Sequence, residues 1–346
     1  MRLRSALSFA VLALAASRGL VGCFDPEIRA CLRCPSGRCP SGQRCVQGYC
    51  AKTGQTCAAA SVEPCREGRC CLGGSCFDFG SNVSPALWLD WTSVRPPDPS
   101  RSADLEQWLD RSGLGHHADP VVGPFNHAPV VGGPVAGTTP IVRMRFGDEA
   151  LLVQQPELSV LRALGSRDFT VLIAATLPCT PDNKSQCFAQ KQGIAVASDG
   201  GSSMPRGFYL RAIESDLRGR FDVQGFFTEI PPGSARTSAL SLRCDEFHLF
   251  GARRITGADP GEWQVRVNGN VVATAPVPAA ATGAPSDTPL LFAGGDTCGY
   301  LEGSLAAAVV VEGVLTDTQT CELEKFLLSR LYEANLTEAP STLQCN

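Results

Sequence analysis

Cysteine is the residue type whose number and spacing could do the most chemistry in this chain of 346 residues. Its 17 cysteines are too many for a protein kept in a reducing cytosol, so the sequence predicts export to a compartment where disulfides persist. Zinc is the alternative, because Cys31-x-x-Cys34 has metal-ligand spacing. That cysteine-rich segment has no histidine and only one such pair, so disulfides are the better interpretation.

The N-terminus has the features of an export signal. Met1 to Arg4 is basic, and Ala6 to Ala16 is an apolar stretch of eleven residues. Such a stretch is too short to cross a bilayer and is typical of a signal peptide. We therefore expect residues 1–22 to be removed.

The four residues Leu20-Val21-Gly22-Cys23 resemble the lipobox of bacterial lipoproteins. The resemblance implies that Cys23 is lipidated, becomes the mature N-terminus and holds the protein at the bacterial outer membrane or cell surface. The alternative is that Cys23 is a disulfide cysteine behind an ordinary signal peptide. Without Cys23 there remain 16 cysteines, ten from Cys31 to Cys76 and six from Cys179 to Cys345, and these even numbers favour lipidation.

Residues 23–80 differ sharply in composition from the rest and are called the stalk below. The sequence Cys-x-x-Gly-x-Cys occurs four times in it, starting at Cys34, Cys45, Cys65 and Cys71. Large apolar residues are too few to build a core, so five disulfides are expected to hold this segment. The connectivity cannot be read from the sequence.

The charge distribution argues against nucleic acid as a partner. The whole chain has a formal net charge of -4, and counting from Pro85 onward gives 20 basic and 29 acidic residues, a net of -9. An acidic domain of this kind suits neutral sugars or cationic partners better than anionic polymers.

From Pro85 onward the sequence is typical of an antiparallel β-sandwich, with short apolar runs bounded by Gly, Pro, Asn and Asp. The expected strands are Ala86–Trp91, Ile141–Phe146, Phe169–Leu177, Gly193–Ala197, Gly207–Ile213, Arg220–Ile230, Glu246–Ile255, Trp263–Val267, Val271–Ala275, Pro289–Ala293 and Ser304–Val311.

Two local signals are especially clear. Asn268-Gly269 between two strand-like runs predicts a hairpin with a type I′ turn. Thr316-Asp-Thr-Gln319 has the form of a capping box, and apolar residues at helical spacing follow it. We expect a single helix to close the domain.

Residues 85 to 336 resemble the concanavalin A-like lectin/glucanase jelly rolls, specifically the laminin G-like branch. The matching pieces, in order, are Ala86-Leu-Trp-Leu-Asp90, Trp108-Leu-Asp-Arg-Ser-Gly113, Val142-Arg-Met-Arg-Phe146-Gly147, Phe169-Thr-Val-Leu-Ile173, Val265-Arg-Val-Asn268-Gly269 and Leu328–Tyr332. The resemblance implies an all-β jelly-roll sandwich, which we place over residues 81–346. A domain of roughly 250 residues buries enough of its surface that we expect it to fold independently of the stalk.

Catalysis is not expected. Hydrolases of the wider fold carry acids two residues apart on one strand face, as Glu-x-Asp-x-Glu, and the sequence has no such strand. Asp245-Glu246 would point to opposite faces, and Glu322-Leu-Glu324 falls on the predicted helix.

Histidine and tryptophan suggest structural roles. We interpret the adjacent His116 and His117 as solvated loop residues, and His248 as a core or sheet-face residue. Trp88, Trp91, Trp108 and Trp263 could form a sugar-stacking platform, but packing is the better interpretation. No cofactor is expected; calcium stays open, since Asp199-Gly-Gly201 and Asp296-Thr-Cys298 lie in loops that could supply oxygen ligands.

The six domain cysteines are expected to form three disulfides. Cys179 and Cys187 bracket a short polar turn and are predicted to pair. For the other four we favour Cys244–Cys298 with Cys321–Cys345, and the alternative is Cys298–Cys321 with Cys244–Cys345.

These features together predict a lipid-anchored surface protein that binds a glycan or a surface protein through a laminin G-like module, with no membrane contact beyond the lipid. Two other hypotheses are kept: a structural envelope component that makes protein contacts only, and a divergent glycoside hydrolase.

Overall fold

The computed structural model describes residues 32–33, 43–46, 49–52, 65, 69–72, 75–80, 83–94, 104–121, 129–132, 139–144, 149–154, 161, 168–178, 185–195, 204–214, 220–227, 233–236, 240–256, 261–277, 289–295, 298–313 and 315–337. Cys23 and the signal peptide lie outside these residues. By its contacts the chain divides into two compact units, Met1–Ser61 and Val62–Asn346.

The first unit contains a small antiparallel sheet. Its three strands are β1 (Leu32–Arg33), β2 (Gln43–Val46) and β3 (Tyr49–Lys52), in the order β1-β3-β2. The β2–β3 register places Cys45 opposite Cys50, so one Cys-x-x-Gly-x-Cys repeat spans this hairpin.

The second unit begins with a hairpin of two short strands, β4 (Arg69–Leu72) and β5 (Ser75–Asp78). Two disulfides, Cys65–Cys70 and Cys71–Cys76, link cysteines that are five residues apart. Each closes one Cys-x-x-Gly-x-Cys repeat on itself. Glycine at the third intervening place suits a chain that must turn so tightly. This segment is called the disulfide hairpin below.

Two antiparallel sheets of eight strands each form the body of the second unit. The back sheet has the order β19-β18-β17-β11-β23-β9-β8, with β6 also paired to β23. Its strands are β6 (Pro85–Asp90), β8 (Val130–Gly132), β9 (Ile141–Met144), β11 (Phe169–Thr176), β17 (Phe247–Ile255), β18 (Gly261–Val267), β19 (Asn270–Val277) and β23 (Gly303–Glu312).

The front sheet has the order β15-β14-β13-β12-β20-β10-β7, with β16 paired to β14. Its strands are β7 (Ala118–Val121), β10 (Ala150–Val153), β12 (Ser185–Ala195), β13 (Met204–Glu214), β14 (Arg220–Phe227), β15 (Gly233–Arg236), β16 (Leu240–Ser241) and β20 (Leu290–Phe292). A two-stranded ribbon, β21 (Gly294–Gly295) and β22 (Gly299–Tyr300), follows β20. The predicted antiparallel β-sandwich is confirmed.

Aromatic side chains from both sheets fill the space between them. Phe188 of the front sheet stacks on Phe250 of the back sheet with ring centroids 4.0 Å apart. At one end Gly225 has no room for a Cβ atom, which would lie 2.5 Å from Val265 Cγ2 and 2.6 Å from Trp263 Nε1. The absence of a side chain at Gly225 therefore lets the sheets approach closely over Trp263.

A second apolar cluster lies on the outer face of the back sheet. Helix α1 (Asp317–Glu333) covers this face, as does the disulfide hairpin. Leu323 and Leu327 of the helix are buried there, together with Leu72 of the hairpin. The ring of Trp88 contacts both Phe79 and Phe326, so strand, hairpin and helix meet at one point.

Specific contacts fix the N-terminus of helix α1 and hold its buried side to the back sheet. The predicted capping box is confirmed, since the Thr316 side chain accepts from the Gln319 amide and the Gln319 side chain accepts from the Thr316 amide. Within the helix, buried Glu324 accepts two hydrogen bonds of 2.7 Å from Arg266 of β18. Burial raises the pKa of Glu324 above its usual value, although the pairing with Arg266 acts in the opposite direction.

Buried polar groups join the disulfide hairpin to the sandwich. Arg111 donates to Asp90 Oδ2 at 2.7 Å and to the Cys71 carbonyl at 2.6 Å. Trp88 Nε1 donates to the same Asp90 carboxylate at 2.8 Å. The compositional boundary at residue 80 therefore does not coincide with the division by contacts, which falls after Ser61.

The predicted strands differ from the observed ones mainly in the front sheet. The expected strand begins at Gly193, but β12 already begins at Ser185. Gln186 and Gln190 are buried there because their side chains accept from the backbone amides of Glu302 and Cys298. The hairpin at Asn268-Gly269 is confirmed, with φ of 48° and 85°.

The predicted pairings of Cys187 and Cys298 are wrong. These two cysteines are bonded to each other, which excludes Cys179–Cys187, Cys244–Cys298 and Cys298–Cys321. The physical reason is that Cys187 lies inside β12 instead of in a turn. Cys321 is disulfide-bonded, and its predicted partner Cys345 lies outside the described residues, as does Cys179.

A different pairing is now expected for Cys244, which carries no disulfide in the structure. The Asp245 amide donates to the Leu177 carbonyl at 2.8 Å, and Cys179 follows Leu177 by two residues, a span of at most about 7 Å. We predict a Cys179–Cys244 disulfide. Non-reducing peptide mapping should find it, and Cys244→Ser should make Cys179 open to alkylation. Alkylation of Cys244 in the unreduced chain would contradict the prediction.

The buried Arg266–Glu324 pair predicts a large effect of removing one partner. Glu324→Ala leaves the buried Arg266 guanidinium without its carboxylate and should lower the free energy of unfolding by about 3–5 kcal/mol. Glu322→Ala, on the exposed side of the same helix, is the matched control and should change it by no more than about 0.5 kcal/mol. Denaturant unfolding measures both; equal effects would refute the assignment.

Candidate functional site

The outer face of the front sheet is a broad surface, and the helix among the described residues does not cover it. Inward positions of β13, such as Phe208, Leu210 and Ala212, are fully buried, and the alternate positions Tyr209, Arg211 and Ile213 are half-buried and point outward. This alternation is the pattern of a sheet with one packed and one open face.

Strand register aligns one row of residues across the outer face of the front sheet. Each member is the direct partner of the next, from β13 through to β7. In order these residues are Tyr209, Gln190, Leu291, Leu152 and Asp119, of which Gln190 is buried. Neighbouring strands lie about 4.8 Å apart, so the row spans roughly 19 Å.

Tyr209 and Arg211 form the best-defined group on this face. The Arg211 guanidinium lies over the Tyr209 ring, 4.8 Å from its centroid. Arg211 Nε and Nη2 both donate to Gln224 Oε1 on the adjacent strand, at 3.1 and 3.0 Å. An aromatic ring and an amide thus hold the guanidinium in one orientation.

The groups that flank Arg211 on the neighbouring strands carry no net charge. Cys187, its register partner on β12, is bonded to Cys298. On β14, Asp222 lies two residues before Gln224 on the same outward face and is paired with Arg236 of β15. A neutral disulfide and a neutralised carboxylate therefore flank Arg211.

A second polar group lies at the opposite edge of the front sheet. Asp119 accepts hydrogen bonds from Gln107 Nε2 at 2.7 Å and from Gln154 Nε2 at 2.6 Å. Leu152, its register partner, has 37% of its surface exposed. This edge combines hydrogen-bonding groups with a small apolar patch.

The residues weighed for catalysis from the sequence do not come together on this face. Glu324 is buried against Arg266, and Asp245 and Glu246 lie in the turn that leads into β17. All four tryptophans are buried, with Trp91 the most exposed at 7%, so the interpretation as packing residues is confirmed.

The two adjacent histidines differ from the expectation that both are solvated. His116 is buried, and its Nδ1 lies 2.6 Å from the Ala86 carbonyl. His117 Nδ1 accepts from the Asp110 amide at 2.9 Å. Both rings fix the loop that carries Asp110, whose carboxylate accepts from the Trp88 and His116 amides.

Metal ligation has no support within the described part of the chain. No group of three or more His, Cys, Asp or Glu side chains there is placed to hold an ion. Asp199, Gly201 and Asp296, weighed as calcium-loop residues, lie outside the described residues. The described helix is too short and too polar to cross a membrane.

Sequence reasoning did not single out Tyr209, Arg211 and Gln224. The available signal was the alternation Phe208-Tyr-Leu-Arg-Ala212, which predicts one apolar and one polar face. That pattern could show that Tyr209 and Arg211 share a face. It could not show that Gln224 lies beside them, because the register of β14 sets that contact.

The chain matches no family model and no curated protein. Its fold is similar to several solved structures at low identity. Domain 4 of AbnA, a GH43 extracellular arabinanase from Geobacillus stearothermophilus solved in complex with arabinotriose, is 11% identical, with a TM-score of 0.43 over 70% of this chain and 98% of that one. The binding domain of Paraclostridial Mosquitocidal Protein 1 is 10% identical, with a TM-score of 0.46 over 71% and 52%. Likenesses this distant carry no functional argument.

His248 is a buried structural residue, as expected from its apolar strand. Its Nε2 lies 2.9 Å from the Arg243 carbonyl, and its Nδ1 lies 3.1 Å from Asn268 Nδ2. The neutral tautomer with the proton on Nε2 satisfies both contacts. Burial lowers the pKa of His248, while the carbonyl bond and nearby Glu246 act to raise it.

The lowered pKa of His248 predicts a loss of stability in acid. The unfolded chain takes up a proton near the ordinary value of 6.5, which the folded chain resists, so the free energy of unfolding should fall as the pH drops below 6.5. Denaturant unfolding at pH 7.5 and 5.5 measures this, and His248→Gln should flatten the dependence. An NMR titration of His248 with its midpoint at or above 6.5 would refute the prediction.

Proposed function

We propose that this chain is an exported, lipid-anchored binding protein whose laminin G-like module recognises a glycan on the outer face of the front sheet. The observation that carries the proposal is the group of Tyr209, Arg211 and Gln224, held in fixed geometry on that face. An aromatic ring next to guanidinium and amide groups offers apolar contact and hydrogen bonds to a polyhydroxylated ligand.

The placement of acids favours binding over hydrolysis. Among the described front-sheet strands, Asp119 and Asp222 are the two carboxylates at outward positions. They lie on β7 and β14, five strand spacings or about 24 Å apart. Glycoside hydrolysis requires two carboxyl groups about 5 to 9.5 Å apart, which this pair cannot supply.

A glycan array on the purified full chain tests the proposal. Selective binding to a set of oligosaccharides is expected, and Tyr209→Ala should weaken it by about tenfold because the ring is lost as a contact surface. Tyr332→Ala is the matched control, since Tyr332 is an exposed tyrosine on helix α1. No binding to any glycan, or equal effects of both variants, would refute the assignment.

The lipid anchor is tested separately. Lipidation of Cys23 is supported by the Leu20-Val21-Gly22-Cys23 sequence and by the even number of remaining cysteines. Cys23→Ser should move the protein from the detergent phase to the aqueous phase in a partitioning experiment, because no acyl chain is attached. Unchanged partitioning would overturn the proposal of an acyl anchor.

A further inference from the structure

Arg211 differs in its contacts from seven other arginines of the described residues. Seven arginines form ion pairs with carboxylates: Arg69, Arg111, Arg236, Arg243, Arg253, Arg266 and Arg330. Arg211 instead contacts the neutral Gln224 amide and the Tyr209 ring. Within the described part of the chain, no carboxylate pairs with it.

The hydrogen bonds of Arg211 leave one edge of its guanidinium open. Nε and Nη2 use the side edge, because both donate to the single oxygen Gln224 Oε1. Of the remaining three N–H donors, one on Nη1 and the second on Nη2 lie side by side on the end edge, and the other Nη1 hydrogen points back toward Cδ. Two parallel N–H groups on such an edge match the two oxygens of a carboxylate.

The orientation of Arg211 is set before any ligand binds. The Tyr209 ring supports the plane of the guanidinium and Gln224 fixes its rotation. A preorganised donor loses less side-chain entropy when it captures a ligand, so more of the interaction energy is available for affinity.

The local charge is positive although the domain is acidic. Asp222 is the nearest outward acid on the adjacent strand, and Arg236 already pairs with it. Arg211, Arg236 and Asp222 therefore sum to one positive charge, whereas the chain from Pro85 onward has a formal net charge of -9. A single anionic group suits this spot, and a long polyanion would be repelled by the rest of the domain.

We infer that Arg211 is the recognition residue for a carboxylate-bearing sugar, such as a uronic or sialic acid unit within an otherwise neutral glycan. The inference rests on the proposed glycan-binding function and names its ligand class. The carboxylate occupies the open edge of the Arg211 guanidinium, and the sugar ring lies along the neighbouring outward side chains of the front sheet.

Matched glycan pairs test the inference with the full chain. The probes are sialyllactose with lactose, and trigalacturonate with its methyl ester. We expect the acidic member of at least one pair to bind about tenfold or more tightly than its neutral counterpart, with the preference weakening as salt is raised. Arg211→Gln should abolish the preference, and Arg211→Lys should reduce it because an ammonium cannot bond both oxygens on one planar edge.

Arg143→Gln is the control, since it removes the same charge from an exposed position on the back sheet. It should leave the preference unchanged. Glycan binding with no preference for the acidic members, or a preference that survives Arg211→Gln, would overturn this inference and leave the proposed function standing. Absence of all glycan binding would overturn both. Thermal unfolding of each variant shows whether a lost preference comes from the site or from the fold.

Discussion

Burial of the central strands of the back sheet on both faces is the constraint on which the rest of the structure depends. Every described residue of β6 and β11 is buried, and so are the eight central residues of β23. One face meets the front sheet, and the other meets helix α1 and the disulfide hairpin. Strands buried on two faces read as continuous apolar runs, which is why they could be recognised from the sequence. Among the described residues, the central strands of the back sheet therefore leave no open face for a ligand, whereas much of β19 and Arg143 of β9 are exposed.

The ion pair between Asp90 and Arg111 ties the covering elements to this sheet. Asp90 has no exposed surface, and it also accepts from Trp88 Nε1. Arg111 continues to the Cys71 carbonyl, while its own carbonyl accepts from the Cys65 amide at 2.5 Å. A buried charge left without its partner is costly, so hairpin, strand and loop depend on one another. The sequence motifs that contain these residues therefore serve packing, whatever ligand the domain binds.

Elements with strong local signals could be predicted, and contacts set by register could not. Thr316 and Gln319 predict the start of the helix, and Asn268-Gly269 predicts a hairpin. Both the capping box and the type I′ turn depend only on residues that are close in sequence. The first part of β12 was not predicted because Gln186 and Gln190 are polar, and their burial depends on backbone amides more than 100 residues away. The Cys187–Cys298 disulfide depends on the same long-range contact. Loop spacing alone therefore gave the wrong pairings.

The front sheet differs from the back sheet because only one of its faces is needed for the core. Its inward residues are selected for volume by the packed interior, whereas outward residues such as Tyr209 and Arg211 are free of that requirement. Arg266, buried and bonded to Glu324, holds the helix to the sheet, and its charge is neutralised within the fold. Arg211 is half-buried, and its hydrogen-bond partner Gln224 is neutral. The described fold neutralises the charge of Arg266 and not that of Arg211, which is the charge that the proposed glycan carboxylate would neutralise.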